Sequence, residues 1–105
     1  MKKNKKIDWL EIIIKITDKP DKDLHLEVGN QLFNFWYVGF PANRMGYLVV
    51  WEQNSKRAIQ ISRLKVPEKY EFIDINNKKG VIKNIPDDLK YEGMNESENS
   101  ITETF

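Results

Sequence analysis

The sequence predicts an α+β fold, with an N-terminal helix packed on a four- to five-stranded antiparallel meander sheet. Three observations carry this. A capped, isoleucine-rich segment stands near the start, short runs then alternate apolar with polar residues, and turn residues separate the runs at hairpin spacing. The 105 residues suit one domain with a modest core. Residues 1–92 are read as that domain, with 1–6 a flexible basic start and 93–105 a polar, acidic, disordered tail.

The opening segment is IDWLEIIIKIT, residues 7–17. Asp8 is a good N-cap, and Glu11 sits three residues on, as in a capping box. Trp9, Ile13 and Ile16 would share a helical face, flanked by Leu10 and Ile12. Against a helix stand four isoleucines in five residues, which are stiff at χ1 and suit strands. A short helix is favoured, and a helical turn running into an early strand is the alternative. Pro20, in the solvated TDKPDKD turn, ends any helix.

Leu24, Leu26 and Val28 alternate with His25 and Glu27 as a half-buried strand, and Gly29-Asn30 is a hairpin turn pair. LFNFWYV, residues 32–38, places Phe33, Phe35 and Tyr37 on one face and Leu32, Asn34, Trp36 and Val38 on the other. Both faces are mostly apolar, which predicts a central strand. GFPANRMG is a loop, and YLVVWE, residues 47–52, is the third strand, with Tyr47, Val49 and Trp51 on one face. That face is expected to pack on the opening helix. Ile59 and Ile61 mark a fourth strand, interrupted at Val66-Pro67. Phe72 to Ile75 reads as a fifth, and Asn76 to Gly80 as a turn into a hairpin partner over Val81 to Lys83. Ile85 to Leu89 reads as a further helical turn, because Asp87 and Asp88 suit a helix start.

Composition narrows the function classes. Hydrophobic residues are 40% and charged residues 31%, as in an ordinary soluble globular protein. No cysteine is present, which removes disulfides and thiolate metal sites and makes a reducing cytoplasm the expected location. The basic MKKNKK start resembles a signal-peptide n-region, but Asp8, Glu11 and Lys15 interrupt the following apolar stretch, so export is not expected. No run approaches the ~20 apolar residues of a membrane span. The net charge of +1 conceals an asymmetry: residues 1–85 hold 16 Lys/Arg against 10 Asp/Glu, and residues 86–105 hold one against six. A solvated surface with an acidic end is the plain reading of that pattern.

Catalysis is poorly supplied, and no enzyme activity is expected. His25 is the single histidine, with Glu27 on the same strand face as a potential orienting partner, an arrangement common on exposed strands. No nucleophile elbow or Gly-rich phosphate loop is present. Asp18, Asp21 and Asp23 cluster, but Lys19 and Lys22 are interleaved and the glycine of a calcium loop is missing. No metal or cofactor is expected. Recognition is better supplied. Aromatics on a basic sheet can stack the bases of single-stranded nucleic acid, but filling a small core is their commoner use, and no RNP-like motif appears. Trp and Tyr flanked by Arg anchor protein interfaces, and the candidates are Trp36, Tyr37, Arg44, Tyr47 and Arg57. The competing role of each aromatic is core, and of each Arg a solvated rim.

The pattern Gly46-x-Leu48-x-Val50-Trp51-Glu52, a polar turn, then Ile59-x-Ile61, resembles the TriTu family of bacterial immunity proteins of polymorphic toxin systems. Trp9-Leu10 in the opening helix and Leu24 to Val28 as first strand extend the likeness over roughly residues 7–64. After Glu52 this chain has Gln53-Asn54-Ser55-Lys56-Arg57, where the family tends to turn tightly with a glycine and an acidic residue. The resemblance implies a cytoplasmic immunity protein, a monomer or weak dimer. Such a protein binds a cognate toxin domain and occludes its active site or a nearby surface, as in contact-dependent inhibition. Many such toxins are nucleases with basic clefts. An acidic complement is therefore expected from the end of the chain, including Asp87, Asp88 and Glu92. Binding of single-stranded nucleic acid through exposed aromatics is the alternative function.

Overall fold

The computed structural model describes residues 7–93. The expected basic start and, after Gly93, the acidic tail lie outside the described residues. The elements in order are α1 (Trp9–Asp18), β1 (His25–Val28), β2 (Gln31–Gly39), β3 (Met45–Glu52), β4 (Arg57–Lys65), β5 (Ile73–Asp74), α2 (Lys78–Asn84) and β6 (Lys90–Tyr91). They form an α+β fold. β1 to β4 make the antiparallel meander, β6 adds in parallel beside β4, and β5 adds in parallel beside β2.

The opening segment is a helix. The Asp8 carboxylate accepts the Glu11 amide N–H at 3.2 Å, which satisfies one of the unpaired donors of the first turn. The buried stripe is Trp9, Ile12 and Ile16, with Ile13 at its margin and Leu10 and Ile14 exposed. The expected stripe through Ile13 is thus rotated toward Ile12.

Strand alternation creates two cores. On the α1 face, Trp9, Ile12 and Ile16 pack with Phe33, Phe35, Tyr37, Leu48, Val50 and Ile59. On the second face, Val38, Val49, Trp51 and Ala58 pack with Ile73 and Ile85. Trp51 does share its face with Tyr47 and Val49, but that face turns away from α1. The expected packing of Trp51 on the opening helix is corrected: its cover comes from the C-terminal segment.

That segment departs from expectation twice. Residues 78–84 are the helix α2, where a hairpin strand was expected over Val81 to Lys83. The Asn77 side chain accepts the Gly80 amide N–H at 3.0 Å, so the polar turn serves as a helix cap. The expected helical turn over Ile85 to Leu89 is absent. Ile85 is extended because Pro86 follows it, and the chain proceeds to β6.

The β3–β4 register slips at one point. Tyr47 pairs with Ser62 and Gly46 with Leu64, leaving Arg63 as a bulge with φ 62°. The extra residue returns Leu64 and Val66 to the α1 face. Nearby, a Cβ on Gly46 would lie 1.8 Å from the Val38 carbonyl oxygen, so only glycine fits there.

Candidate partner-binding surface

Among the described residues the second face is only partly covered. Across the strands one row reads Asn34, Trp51, Ala58, Tyr91; the next reads Trp36, Val49, Gln60; a third reads Val38, Tyr47, Ser62. α2 and the following segment bring Val81, Ile85 and Leu89 to the buried part. Gln60 and Ser62 remain exposed, Trp36 and Tyr47 are half-buried, and Tyr91 is 53% exposed. Burial raises the Tyr47 hydroxyl above its ordinary pKa, and burial followed by the proximity of Tyr47 does the same for Tyr91.

The structure distributes the eight expected site residues unevenly. Trp36 and Tyr47 lie together on this face. Tyr37 lies on the opposite face, 3% exposed and edge-on to Phe35, so it is a core residue and not a surface anchor. Burial, together with neighbouring Tyr70, pushes the Tyr37 hydroxyl up to about 12.

Arg44 is a clamp. Its side chain donates to the carbonyls of Val66 at 3.1 Å, Pro67 at 2.8 Å and Tyr70 at 2.9 Å, and its guanidinium lies 4.9 Å from the Phe72 ring centre. The loop it holds carries Tyr70, whose hydroxyl donates to the Ile16 carbonyl at 2.6 Å. Lys69 donates to the Lys19 carbonyl beside it. The two side chains satisfy carbonyls at the end of α1, where a cation is also favoured by the helix dipole.

Arg57 and Glu92 are joined as a fork. Arg57 Nε donates to Glu92 Oε2 at 2.9 Å and its Nη2 to Oε1 at 3.0 Å, while the Trp9 indole N–H donates to Oε1 at 2.9 Å. The Arg57 hydrogen bond holds the Glu92 carboxyl below its ordinary pKa against partial burial, and the Trp9 bond adds to it. Glu92, just after β6, therefore acts inside the fold, tying that segment to α1 and β4, and its carboxylate is already held by Arg57 and Trp9. Asp87 and Asp88 are exposed on the segment before β6.

Elsewhere polar side chains serve local structure. Asp21 accepts from Lys19 at 2.7 Å and from the Asp23 amide at 2.9 Å, so the aspartate cluster is an internally bonded turn. Burial works against Glu52 ionisation, but hydrogen bonds from Ser55 and Asn54 outweigh it and leave its pKa lowered. Its carboxylate accepts the Ser55 amide at 2.8 Å and closes the β3–β4 turn. Among the described residues no helix is long and apolar enough to cross a membrane.

Three members of this surface were not visible in the sequence. Gln60 and Ser62 read as ordinary polar strand positions, and Tyr91 sits in a two-residue strand too short to show a period. No family model, no curated protein and no solved structure matches this chain.

Proposed function

We propose that this chain is an immunity protein, which binds a toxin domain and neutralises it without chemistry of its own. The observation that carries this reading is the half-open second face, where Trp36, Tyr47 and Tyr91 border the polar side chains of Gln60 and Ser62. Partly exposed aromatics beside adaptable polar groups are the usual material of a tight protein interface. The resemblance of the β3–β4 hairpin to the TriTu family supplies the class of partner. Asp87 and Asp88 add negative charge suited to a basic toxin cleft.

The test is co-expression with the toxin domain encoded beside the gene, scored by cell survival, with affinity measured by calorimetry. The expected result is protection and a nanomolar dissociation constant, weakened at least about tenfold by Tyr47→Ala or Tyr91→Ala. Failure to protect, together with oligonucleotide binding that falls steeply with salt, would replace this reading with single-stranded nucleic-acid binding.

A further inference from the structure

The outward face of α2 carries charge and hydrophobicity that the helix itself does not use. Val81 packs into the second core, and a Cβ on Gly80 would lie 3.2 Å from Ile73 Cγ2, so that side of the helix turns toward β5. With about 3.6 residues per turn, the opposite side carries Lys78, Lys79, Ile82 and Lys83. All four are exposed, and Ile82, at 74%, is more exposed than any other large apolar side chain among the described residues. Ile82 follows Lys78 by four residues and Lys79 by three, so ammonium groups stand around it.

This face works against the helix. Lys78 and Lys79 stand in the first turn, where the helix dipole disfavours cations, and no acidic residue accompanies them there. Lys79 and Lys83 form a like-charge pair four residues apart. No acidic side chain among the described residues pairs with these three lysines. Asp74, just before the helix, accepts the Asn76 amide at 2.9 Å, and Asp87 and Asp88 follow Pro86 beyond it. Residues that weaken a helix and bury nothing are spent on something outside it. A second apolar group stands beside the start of α2. The Gly39 carbonyl accepts the Ile75 amide at 2.9 Å, Phe40 follows Gly39 and is 45% exposed, and only Asn76 and Asn77 separate Ile75 from the helix.

We propose that the outward face of α2, with Phe40 beside it, is a docking surface for an anionic lipid bilayer, on which the chain lies without crossing. The mixture of groups selects this occupant. Lysines meet the lipid phosphates, while Ile82 and Phe40 enter the boundary of the acyl chains. A nucleic-acid backbone would engage the lysines but leave Ile82 in water. An acidic peptide needs a groove or a sheet edge, and the outward side of a single helix is convex. The inference is independent of the toxin reading: an Ile82→Ser chain that leaves the bilayer and still protects cells would separate the two.

The test is co-sedimentation of the full-length chain with extruded vesicles. On vesicles with about one-third phosphatidylglycerol, binding at low salt should be at least about tenfold tighter than on pure phosphatidylcholine, and should weaken as salt rises. Lys78→Gln, Lys79→Gln and Lys83→Gln together should remove that preference. Ile82→Ser and Phe40→Ser should each weaken binding about threefold or more at unchanged charge, and as exposed positions they leave the fold intact. The chain has no cysteine, so Ile82→Cys gives a single labelling site. The emission of a polarity-sensitive label there should shift to the blue on anionic vesicles, whereas the same label on Gln53→Cys, in the β3–β4 turn, should not shift.

Equal binding to neutral and anionic vesicles would overturn the proposal, as would an unshifted label at position 82. Binding lost on changing Lys2, Lys3, Lys5 and Lys6 to Gln but kept in the α2 triple variant would assign the attraction to the basic start of the chain. Binding that appears only when Glu96, Glu98 and Glu103 are changed to Gln would make the chain's own acids the occupant of α2. Oligonucleotide binding that the triple variant abolishes and Ile82→Ser leaves unchanged would make nucleic acid the occupant.

Discussion

The indole N–H of Trp9 donates to the Glu92 carboxylate at 2.9 Å, across 83 positions of sequence. With the Arg57 fork, this contact ties the first helix, the fourth strand and the last strand into one polar joint. Glu92→Ala would leave Trp9 and Arg57 without that acceptor. The expected cost is ~1–3 kcal/mol, measured by urea unfolding, with Glu92→Gln intermediate. A loss below about 0.5 kcal/mol, the range of ordinary surface changes, would show that the joint contributes no stability.

The same joint gives a pH dependence. The folded state lowers the Glu92 pKa, so its contribution is fully present above the ordinary carboxylate range. It is lost as pH falls through the lowered folded value. Stability measured from neutral pH downward should decline less steeply in Glu92→Gln than in the parent. Parallel curves would assign the acid dependence to other carboxylates, such as Glu52.

Tyrosines govern the alkaline side. Burial pushes the hydroxyls of Tyr37 and Tyr70 up to about 12, so both groups hold their protons longer in the folded state than in the unfolded one. Their contribution is complete below the unfolded value of ~10 and is lost as pH rises toward 12. Phenolate absorbance should show these two tyrosines ionising together with unfolding. Tyr70→Phe should remove part of this dependence and cost ~1–3 kcal/mol at neutral pH, because the buried Ile16 carbonyl loses its short hydrogen bond from the hydroxyl and keeps only the longer one from the Lys19 amide.

Arg44→Lys should behave nearly like Arg44→Ala. A single ammonium cannot span the carbonyls of Val66, Pro67 and Tyr70 as the guanidinium does. The expected outcome is a loss of ~2–3 kcal/mol in both variants, with faster amide exchange in residues 66–72. Substantial rescue by lysine would mean that charge, not fork geometry, holds the loop.

Trp51→Ala should cost ~3–5 kcal/mol, as truncation of a core tryptophan does. Thermodynamic cycles locate its partners. Coupling with Ile85→Ala should exceed about 0.5 kcal/mol, whereas Trp51 and Ile12, on opposite sides of the sheet, should combine additively. Strong coupling to Ile12 would restore the packing on α1 that the two-faced sheet contradicts.

Local signals are legible in the sequence. The Asp8 cap, the Gly29-Asn30 turn and the two-residue alternation in β2 and β3 each depend on neighbours along the chain, and each appears where expected. Trp51 shows the limit. Alternation places it with Tyr47 and Val49, but nothing in a strand states which cover lies on which face. The expected turn over Asn76 to Gly80 fails for another reason, since the residues that make a hairpin turn also cap a helix. Arg44, Arg57 and Glu92 read as surface charges because their partners are distant or irregular in sequence. Tyr37 had the composition of an anchor and the parity of a core residue, and parity decided.

The two-sided sheet also bears on how such a chain can change. Phe35, Leu48 and Ile59 secure α1 from one side of the strands, while Trp36, Gln60, Ser62 and Tyr91 border solvent on the other. Substitutions on the solvent side leave the α1 packing untouched, because neighbouring residues point in opposite directions. On the function proposed above, robustness of folding and novelty of recognition would fall to alternate positions of the same strands. A lineage would then exchange one partner for another by drift at Gln60, Ser62 and Tyr91 without passing through an unfolded ancestor.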